Sequence, residues 1–299
     1  MPQLDPELFA ATRPRLLRLA YRMLGSVTEA EDAVQEAWLR YQGANAEVDN
    51  PQAFLARITT RICLDALKSA RHRRETYVGP WLPEPIFDAW EQVNDDVTLT
   101  LMLALERLSP LERAAFLLHD VFGVDLAEVA VALEREPAAC RKLASRAREH
   151  VREAKPRYPL SAKEGERIAA AFHVASRAGD VAGLQRLLAD GVVFYSDGGG
   201  KSTAATKPVF GSSRVLRFYL GLARKSGFAE SRVYRALRID GLPGFISVGE
   251  DGVAQTTALA IEDGRIRAIY CVRNPDKLRH LPLAQAELAA GAEMAVKPT

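Results

Sequence analysis

The chain has 299 residues, 48% hydrophobic and 26% charged, the balance of a folded protein whose length suggests two or three domains instead of one core. Lys and Arg total 40 against 38 Asp and Glu, so the net charge of +2 conceals basic and acidic stretches that suit different partners. No apolar run reaches the roughly 18 residues of a membrane span, no basic stretch and apolar core form a leader, and Cys63, Cys140 and Cys271 are too isolated for a disulfide framework or a metal or redox pair. These features predict a cytoplasmic protein with buried cysteines, no metal, no cofactor and no membrane contact.

Leu16, Leu19, Ala20, Met23 and Leu24 recur at helical spacing, and Gly25-Ser26 ends that helix. A second helix follows, with Thr28 and Glu31 expected as a capping box, an apolar face through Ala33, Val34, Ala37 and Trp38, and an opposite face of Glu31, Asp32, Gln35 and Glu36. Asn50-Pro51 opens a third helix running to about Arg74. Phe54, Leu55, Ile58, Ile62 and Ala66 are expected on its apolar side, opposite a stripe of Arg57, Arg61, Lys68 and Arg71 that continues into His72-Arg73-Arg74.

From 76 to 97 the pattern breaks. Gly79-Pro80-Trp81-Leu82-Pro83-Glu84-Pro85 cannot be helical, because each proline fixes its own φ and restricts its predecessor, and the segment reads as a linker with aromatic anchors. Helices return from Leu99 to about Glu153, with caps at Ser109-Pro110-Leu111-Glu112 and Asp125-Leu126-Ala127-Glu128, and Glu136-Pro137 opens the last helix. Two short helices joined by a tight turn, the second one basic, have the outline of a helix-turn-helix. After Ser161 come two helical stretches and then strands at Val192 to Tyr195, Val233 to Ile239, Phe245 to Val248, Ala254 to Ile261 and Ile266 to Val272, as in a curved antiparallel sheet.

The helix from Pro137 to Lys155 carries six basic and two acidic residues. Its apolar stripe is expected at Cys140, Leu143, Ala147 and Val151, so Arg141, Ser145, Arg148 and Arg152 face away, with Lys142 and Arg146 on the flanks. Such a helix suits the major groove, where arginines read guanine or neutralise phosphates. The Arg57 to Arg74 stripe suits a nucleic-acid backbone, whereas Asp32 and Glu36 would repel phosphate and fit a protein surface bearing arginine.

Thr28-Glu29-Ala30-Glu31-Asp32-Ala33-Val34-Gln35-Glu36-Ala37-Trp38-Leu39 resembles the region-two signature of bacterial extracytoplasmic-function sigma factors, and Leu108-Ser109-Pro110-Leu111-Glu112-Arg113 with the helix-turn-helix after Asp125 resembles region four. Trp81-Leu82-Pro83-Glu84-Pro85, Asp197-Gly198-Gly199-Gly200-Lys201 and Asn274-Pro275-Asp276-Lys277-Leu278 resemble the three hallmark motifs of the subgroup bearing a SnoaL-like C-terminal extension. The resemblance implies that Asp32, Gln35, Glu36 and Trp38 engage the beta-prime clamp of core RNA polymerase, with the beta flap as a further contact. It implies that Arg57, Arg61, Lys68, Arg71, Arg73 and Arg74 face the minus-10 element and that Arg141, Lys142, Ser145, Arg146 and Arg148 face the minus-35 element. It also implies a cis-acting regulatory domain in place of a separate anti-sigma protein. Glu134 and Glu136 depart from the family's usual glycine and Ser or Thr cap, and Arg61 replaces a common asparagine.

The expected fold is therefore multidomain: two all-α domains, then an α+β SnoaL-like cone. The boundaries are 1–76 for region two, 77–97 for the linker, 98–156 for region four, 162–281 for the cone and 282–299 for an Ala-rich tail. Gly198-Gly199-Gly200-Lys201-Ser202 is not a phosphate loop, since Tyr195 stands where that loop needs glycine; the glycines suit a tight turn against a partner segment. Trp81, Leu82 and Pro83 are expected to meet Asp197, Gly198, Gly199 and Lys201, and Asn274, Pro275, Asp276 and Lys277, at one interface. His173, Asp180 and Asp197 are the acid/base candidates for an isomerase or hydrolase reading of the cone, but form no readable catalytic pair, so no catalytic residue is assigned. A small molecule in the cone would be an effector. A plain helix-turn-helix regulator is the other alternative, and it leaves the acidic second helix and the arginine stripe without a shared purpose.

Overall fold

The computed structural model describes residues 6–43, 50–87, 98–152, 161–225, 228, 232–249 and 253–280. The chain forms two compact units, Met1–Thr76 with Thr100–Lys155, and Tyr77–Leu99 with Pro156–Thr299. The expected tail 282–299, linker residues 88–97, and the side chains of Arg71, Arg73 and Arg74 lie outside the described residues.

The first unit is helical: α1 (Pro6–Leu24), α2 (Val27–Gln42), α3 (Pro51–Glu75), α4 (Leu99–Leu105), α5 (Pro110–Phe116), a π-helical turn at Leu117–Val121, α6 (Leu126–Leu133) and α7 (Pro137–Arg152). The start of α2 corrects the sequence reading. Gly25 takes φ 71 and leaves Ser26 extended, so the Ser26 hydroxyl, two residues before Thr28, accepts from the Glu29 amide at 3.2 Å. Asn50 caps α3 as expected, accepting from Ala53 at 3.0 Å, and Ser109 and Glu112 form the reciprocal box on α5.

The buried stripe of α3 is Leu55, Thr59, Cys63 and Leu67, with Phe54, Ile58, Ile62 and Ala66 only half-buried beside it. The predicted face was rotated because two threonines take core positions. Thr60 donates its hydroxyl to the Ala56 carbonyl at 2.8 Å, whereas the buried Thr59 hydroxyl has no hydrogen-bond partner among the described residues. On α7 the buried set is Cys140, Ala144, Ala147 and Val151, so Ala144 takes the place predicted for Leu143.

The second unit contains α8 (Ala162–Ala178), α9 (Val181–Leu187), α10 (Ser212–Ala223) and a six-stranded sheet of order β2-β1-β6-β5-β4-β3. Its strands are β1 (Leu188–Asp197), β2 (Val209–Phe210), β3 (Arg232–Ile239), β4 (Leu242–Val248), β5 (Ala254–Glu262) and β6 (Arg265–Val272). All pairings are antiparallel except β1 with β6, which run parallel, so the sheet is mixed and not wholly antiparallel as predicted. Hairpin turns reveal only sequence neighbours, whereas β1 and β6 meet from opposite ends of the domain. Phe172, Leu184, Val192, Phe194, Leu259 and Ile269 fill the core between helices and sheet.

Candidate nucleic-acid interface and linker joint

Helix α6 is capped by the Asp125 carboxylate, which accepts from the Ala127 amide at 2.7 Å, and ends at Glu134 in the left-handed conformation, φ 54 and ψ 48. The chain turns there and re-enters a helix at Pro137, whose buried face of small residues lets α7 lie close on α5 and α6. Arg141, Lys142, Ser145, Arg146 and Arg148 are thereby all exposed on one side. Arg148 is held by Asp120 of the π-helical turn at 2.7 Å, a partner that no local pattern in the sequence indicates.

On α3, Arg57 lies over the Phe54 ring at 5.0 Å and Lys68 pairs with Asp65 at 2.7 Å. Arg61 reaches across to the end of α6. Its guanidinium donates to the Val131 and Ala132 carbonyls at 3.2 and 3.3 Å and pairs with Glu134 at 2.8 Å. Arg15 donates to the Phe122 carbonyl at 2.7 Å, and Arg113, only 2% exposed, donates to the Met23 carbonyl at 2.6 Å and to Glu106 at 2.7 Å. Burial holds the Arg113 guanidinium down to about 10. Its part in joining the two helical domains escaped the sequence reading, which treated it only as one letter of a motif. A cavity of about 590 Å³, lined in part by Arg15, Asn50, Phe54, Phe122 and Val131, lies between these helices.

Asp32 and Gln35 are exposed on α2, and Glu36 pairs with Arg40 at 2.8 Å. Trp38 is half-buried, stacked on Phe9 with centroids 4.2 Å apart and on Tyr41 at 5.6 Å. It shapes the surface around the acidic face more than it projects from it.

The linker segment of the second unit is packed, not loose. Leu82 is 1% exposed, and its amide donates to Asp197 Oδ2 at 2.8 Å while its carbonyl accepts from Lys277 Nζ. Lys277 completes the triangle by pairing with the same Asp197 oxygen at 2.8 Å, and its ammonium lies 4.2 Å from the Trp81 ring centroid and 4.9 Å from that of Tyr77. The Tyr77 hydroxyl donates to Asp197 Oδ1 at 2.5 Å and accepts from Asn274 Nδ2 at 2.8 Å. Burial first, and then the Asp197 contact, push the Tyr77 phenol well above its ordinary range.

The Asp197 carbonyl accepts the amides of Arg273 and Asn274, and Pro275 starts a 3₁₀ turn that Asn274 caps by accepting from Asp276. Lys201 pairs with Asp276 and holds its carboxyl below the usual range. Gly199 sits at φ 57, where a Cβ would lie 2.2 Å from Asn274 Nδ2, and a Cβ on Gly198 would meet the Ser202 carbonyl at 2.2 Å. The structure thus brings Trp81, Leu82, Asp197, Gly199, Asn274 and Lys277 together. Pro83 is buried in the same segment. Tyr77 is the member that sequence reasoning missed, since it precedes the proline run.

Of the acid/base candidates, Asp180 caps α9 by accepting from the Gly183 amide at 2.9 Å, and Asp197 is committed to Lys277. His173 packs edge-on to Phe245 with centroids 5.0 Å apart, and burial, assisted by Arg177, lowers it to about 4. Among the described residues no group of His, Cys, Asp and Glu has the arrangement of a metal site, and no helix is long and apolar enough to cross a membrane.

Residues 8–73 match the family description Sigma-70 region 2, and residues 98–151 match Sigma-70, region 4. The ECF RNA polymerase sigma factor SigJ of Mycobacterium tuberculosis strain H37Rv is 37% identical over 294 residues, covering 93% of this chain and 94% of that protein. The chain belongs to the extracytoplasmic-function sigma factors. A second relative of this sigma-factor family, the probable ECF RNA polymerase sigma factor SigI of Mycobacterium tuberculosis, is 32% identical over 302 residues and covers 97% of this chain and 100% of that protein. The crystal structure of Mycobacterium tuberculosis SigJ superposes with a TM-score of 0.77 at 36% identity, covering 94% of this chain and all of that one. This sigma factor binds RNA polymerase and promoter DNA and directs transcription initiation, with two helical sigma domains followed by a domain built on a mixed six-stranded sheet.

Proposed function

We propose that the exposed face of α7, comprising Arg141, Lys142, Ser145, Arg146 and Arg148, contacts the minus-35 element, and that Arg57, Arg61, Lys68, Arg71, Arg73 and Arg74 serve the minus-10 element. Asp32, Gln35 and Glu36, on a surface shaped by Trp38, dock on the beta-prime clamp, and region four meets the beta flap. The observation that carries this reading is the separation of charge in one unit. The basic side of α7 and the acidic side of α2 are both exposed, and a single partner class would not satisfy both.

The SnoaL-like domain acts in cis through the linker it binds, and the Asp197, Lys277 and Tyr77 contacts support that role. It works without enzymatic turnover, since Asp180 and Asp197 are already engaged structurally. A small-molecule effector in the cone would meet His173 Nε2 and Arg177 Nε, two buried atoms without hydrogen-bond partners among the described residues. The cytoplasm, where polymerase and promoter are found, is its place of action.

Run-off transcription with core polymerase and the full chain tests the docking assignment. Glu36→Ala should reduce core-dependent initiation about fivefold or more, as loss of an interface anchor does. It should leave folding nearly unchanged, because the Glu36–Arg40 pair it removes is exposed. Undiminished initiation by Glu36→Ala would remove α2 from the polymerase contact.

A further inference from the structure

Glu134 occupies a position that argues against glutamate. The residue after a helix C-terminus in left-handed conformation favours glycine, because a Cβ there crowds the backbone, yet Glu134 holds φ 54 and ψ 48. What the side chain gains is Arg61, 2.8 Å away on α3. The same guanidinium also takes the Val131 and Ala132 carbonyls at the end of α6, where unsatisfied carbonyls and the helix dipole both favour a cation. The minus-10 stripe is therefore hydrogen-bonded directly to the minus-35 module. On a promoter the two elements lie about 25 base pairs apart, roughly 85 Å along the duplex. An arrangement in which Arg61 touches α6 cannot place both modules on their elements at once.

We propose that Glu134 is a positioning residue for Arg61: with the C-terminal carbonyls of α6 it holds the guanidinium in a closed arrangement of regions two and four, which must release before Arg61 reaches minus-10 DNA. This rests on the assignment of Arg61 to the minus-10 face. The clasp is built to open. Its side chains are 42% and 71% exposed, so its contribution is that of a surface ion pair, enough to bias the arrangement by a small factor and not to lock it. The buried Arg113 contact to Met23, at the other end of region two, strengthens the same packing but carries no group of the promoter-facing stripe.

The test titrates the full chain against limiting core polymerase in run-off transcription and reads two quantities, the concentration for half-maximal initiation and the plateau. Four proteins are compared: the natural chain, Glu134→Gln, Arg61→Ala and the double variant. Glu134→Gln keeps the backbone constraint and loses the charge, so it should lower the half-maximal concentration about two- to fivefold at an unchanged plateau. In the Arg61→Ala background it should add nothing. An equal effect of Glu134→Gln in both backgrounds would mean that the carboxylate repels promoter phosphate directly, and this overturns the proposal, as does no effect at all. If Arg61→Ala lowers the half-maximal concentration but leaves the plateau intact, the clasp stands and the minus-10 assignment of Arg61 fails.

A second measurement reads the arrangement without DNA. Spin labels at Gln42→Cys and Glu149→Cys, both exposed positions, should give a short distance in the free natural chain and a larger long-distance population in Glu134→Gln. The natural cysteines are buried and should stay unlabelled. Identical distance distributions would overturn the clasp.

Discussion

The Lys277–Asp197 pair and the Arg61–Glu134 pair both join distant segments at 2.8 Å, but the first is 8% and 0% exposed and the second 42% and 71%. At the linker joint the charges are enclosed and almost every remaining polar valence is used: Asp197 accepts from Leu82, Tyr77 and Lys277, and Lys277 also reaches the Leu82 carbonyl and two aromatic faces. Between α3 and α6 the charges remain in water, where the carboxylate and guanidinium lose little by separating. The same interaction type therefore gives a permanent fixture in one unit and a reversible contact in the other. Burial decides which, because a buried ion that loses its partner has no solvent to replace it.

The sharpest way to break this comparison is Asp197→Ala, which would strand the Lys277 ammonium in a closed site. It should cost the second unit about 3 to 5 kcal/mol, measured by denaturant unfolding, several times any stability change from Glu134→Gln. Equal effects of the two substitutions would refute the distinction. Gly199→Ala probes the same joint without touching a charge. A left-handed backbone and a Cβ driven into the Asn274 amide should destabilise by about 1 to 3 kcal/mol, and the Asn274 to Tyr77 hydrogen bond should be lost in the crystal structure of the variant. A cost below a few tenths would show that the Asn274 side chain simply moves aside.

A pH series extends the comparison to His173, whose imidazole is held at about 4 in the fold against an ordinary 6.5. Between these values the unfolded chain takes up a proton that the folded cone refuses. Stability of the second unit should therefore fall as pH drops from 6.5 towards 4 and level off below. His173→Phe should flatten that slope in a pH series of unfolding midpoints, and an unchanged slope would assign it to other groups.

These contrasts also explain what the sequence could disclose. Caps are local: Asn50 and Ser109 with Glu112 were legible because the partner of each lies three residues away. The exposed row of α7 was legible because charge and period agree. The cap of α2 and the buried stripe of α3 were misjudged by local competition. Ser26 is as good a cap as Thr28 once Gly25 turns the chain, and Thr60 looks polar until its hydroxyl finds the Ala56 carbonyl, while Thr59 is buried with its hydroxyl unpartnered among the described residues. Lys277 and Asp197 as a buried pair leave no periodic trace, since lysine and aspartate are ordinarily surface residues and their partners are 80 positions apart. Motif resemblance supplied their proximity. It did not supply Tyr77, or the reach of Arg61 to α6.

The order in which the chain visits its two units has a further consequence. It leaves the helical unit at Thr76, contributes Tyr77–Leu99 to the unit of the cone, returns at Thr100, and departs again at Lys155. The cone's bound segment is thus an internal stitch, anchored at both ends in the promoter-binding unit. Any influence passing along it is unimolecular: its strength does not depend on how much protein the cell makes, and it cannot be titrated away by overproduction or dilution as a separate inhibitor can. On the proposed cis reading the ratio of regulator to regulated would be fixed at synthesis, so only an event that changes occupancy or conformation could alter the restraint itself.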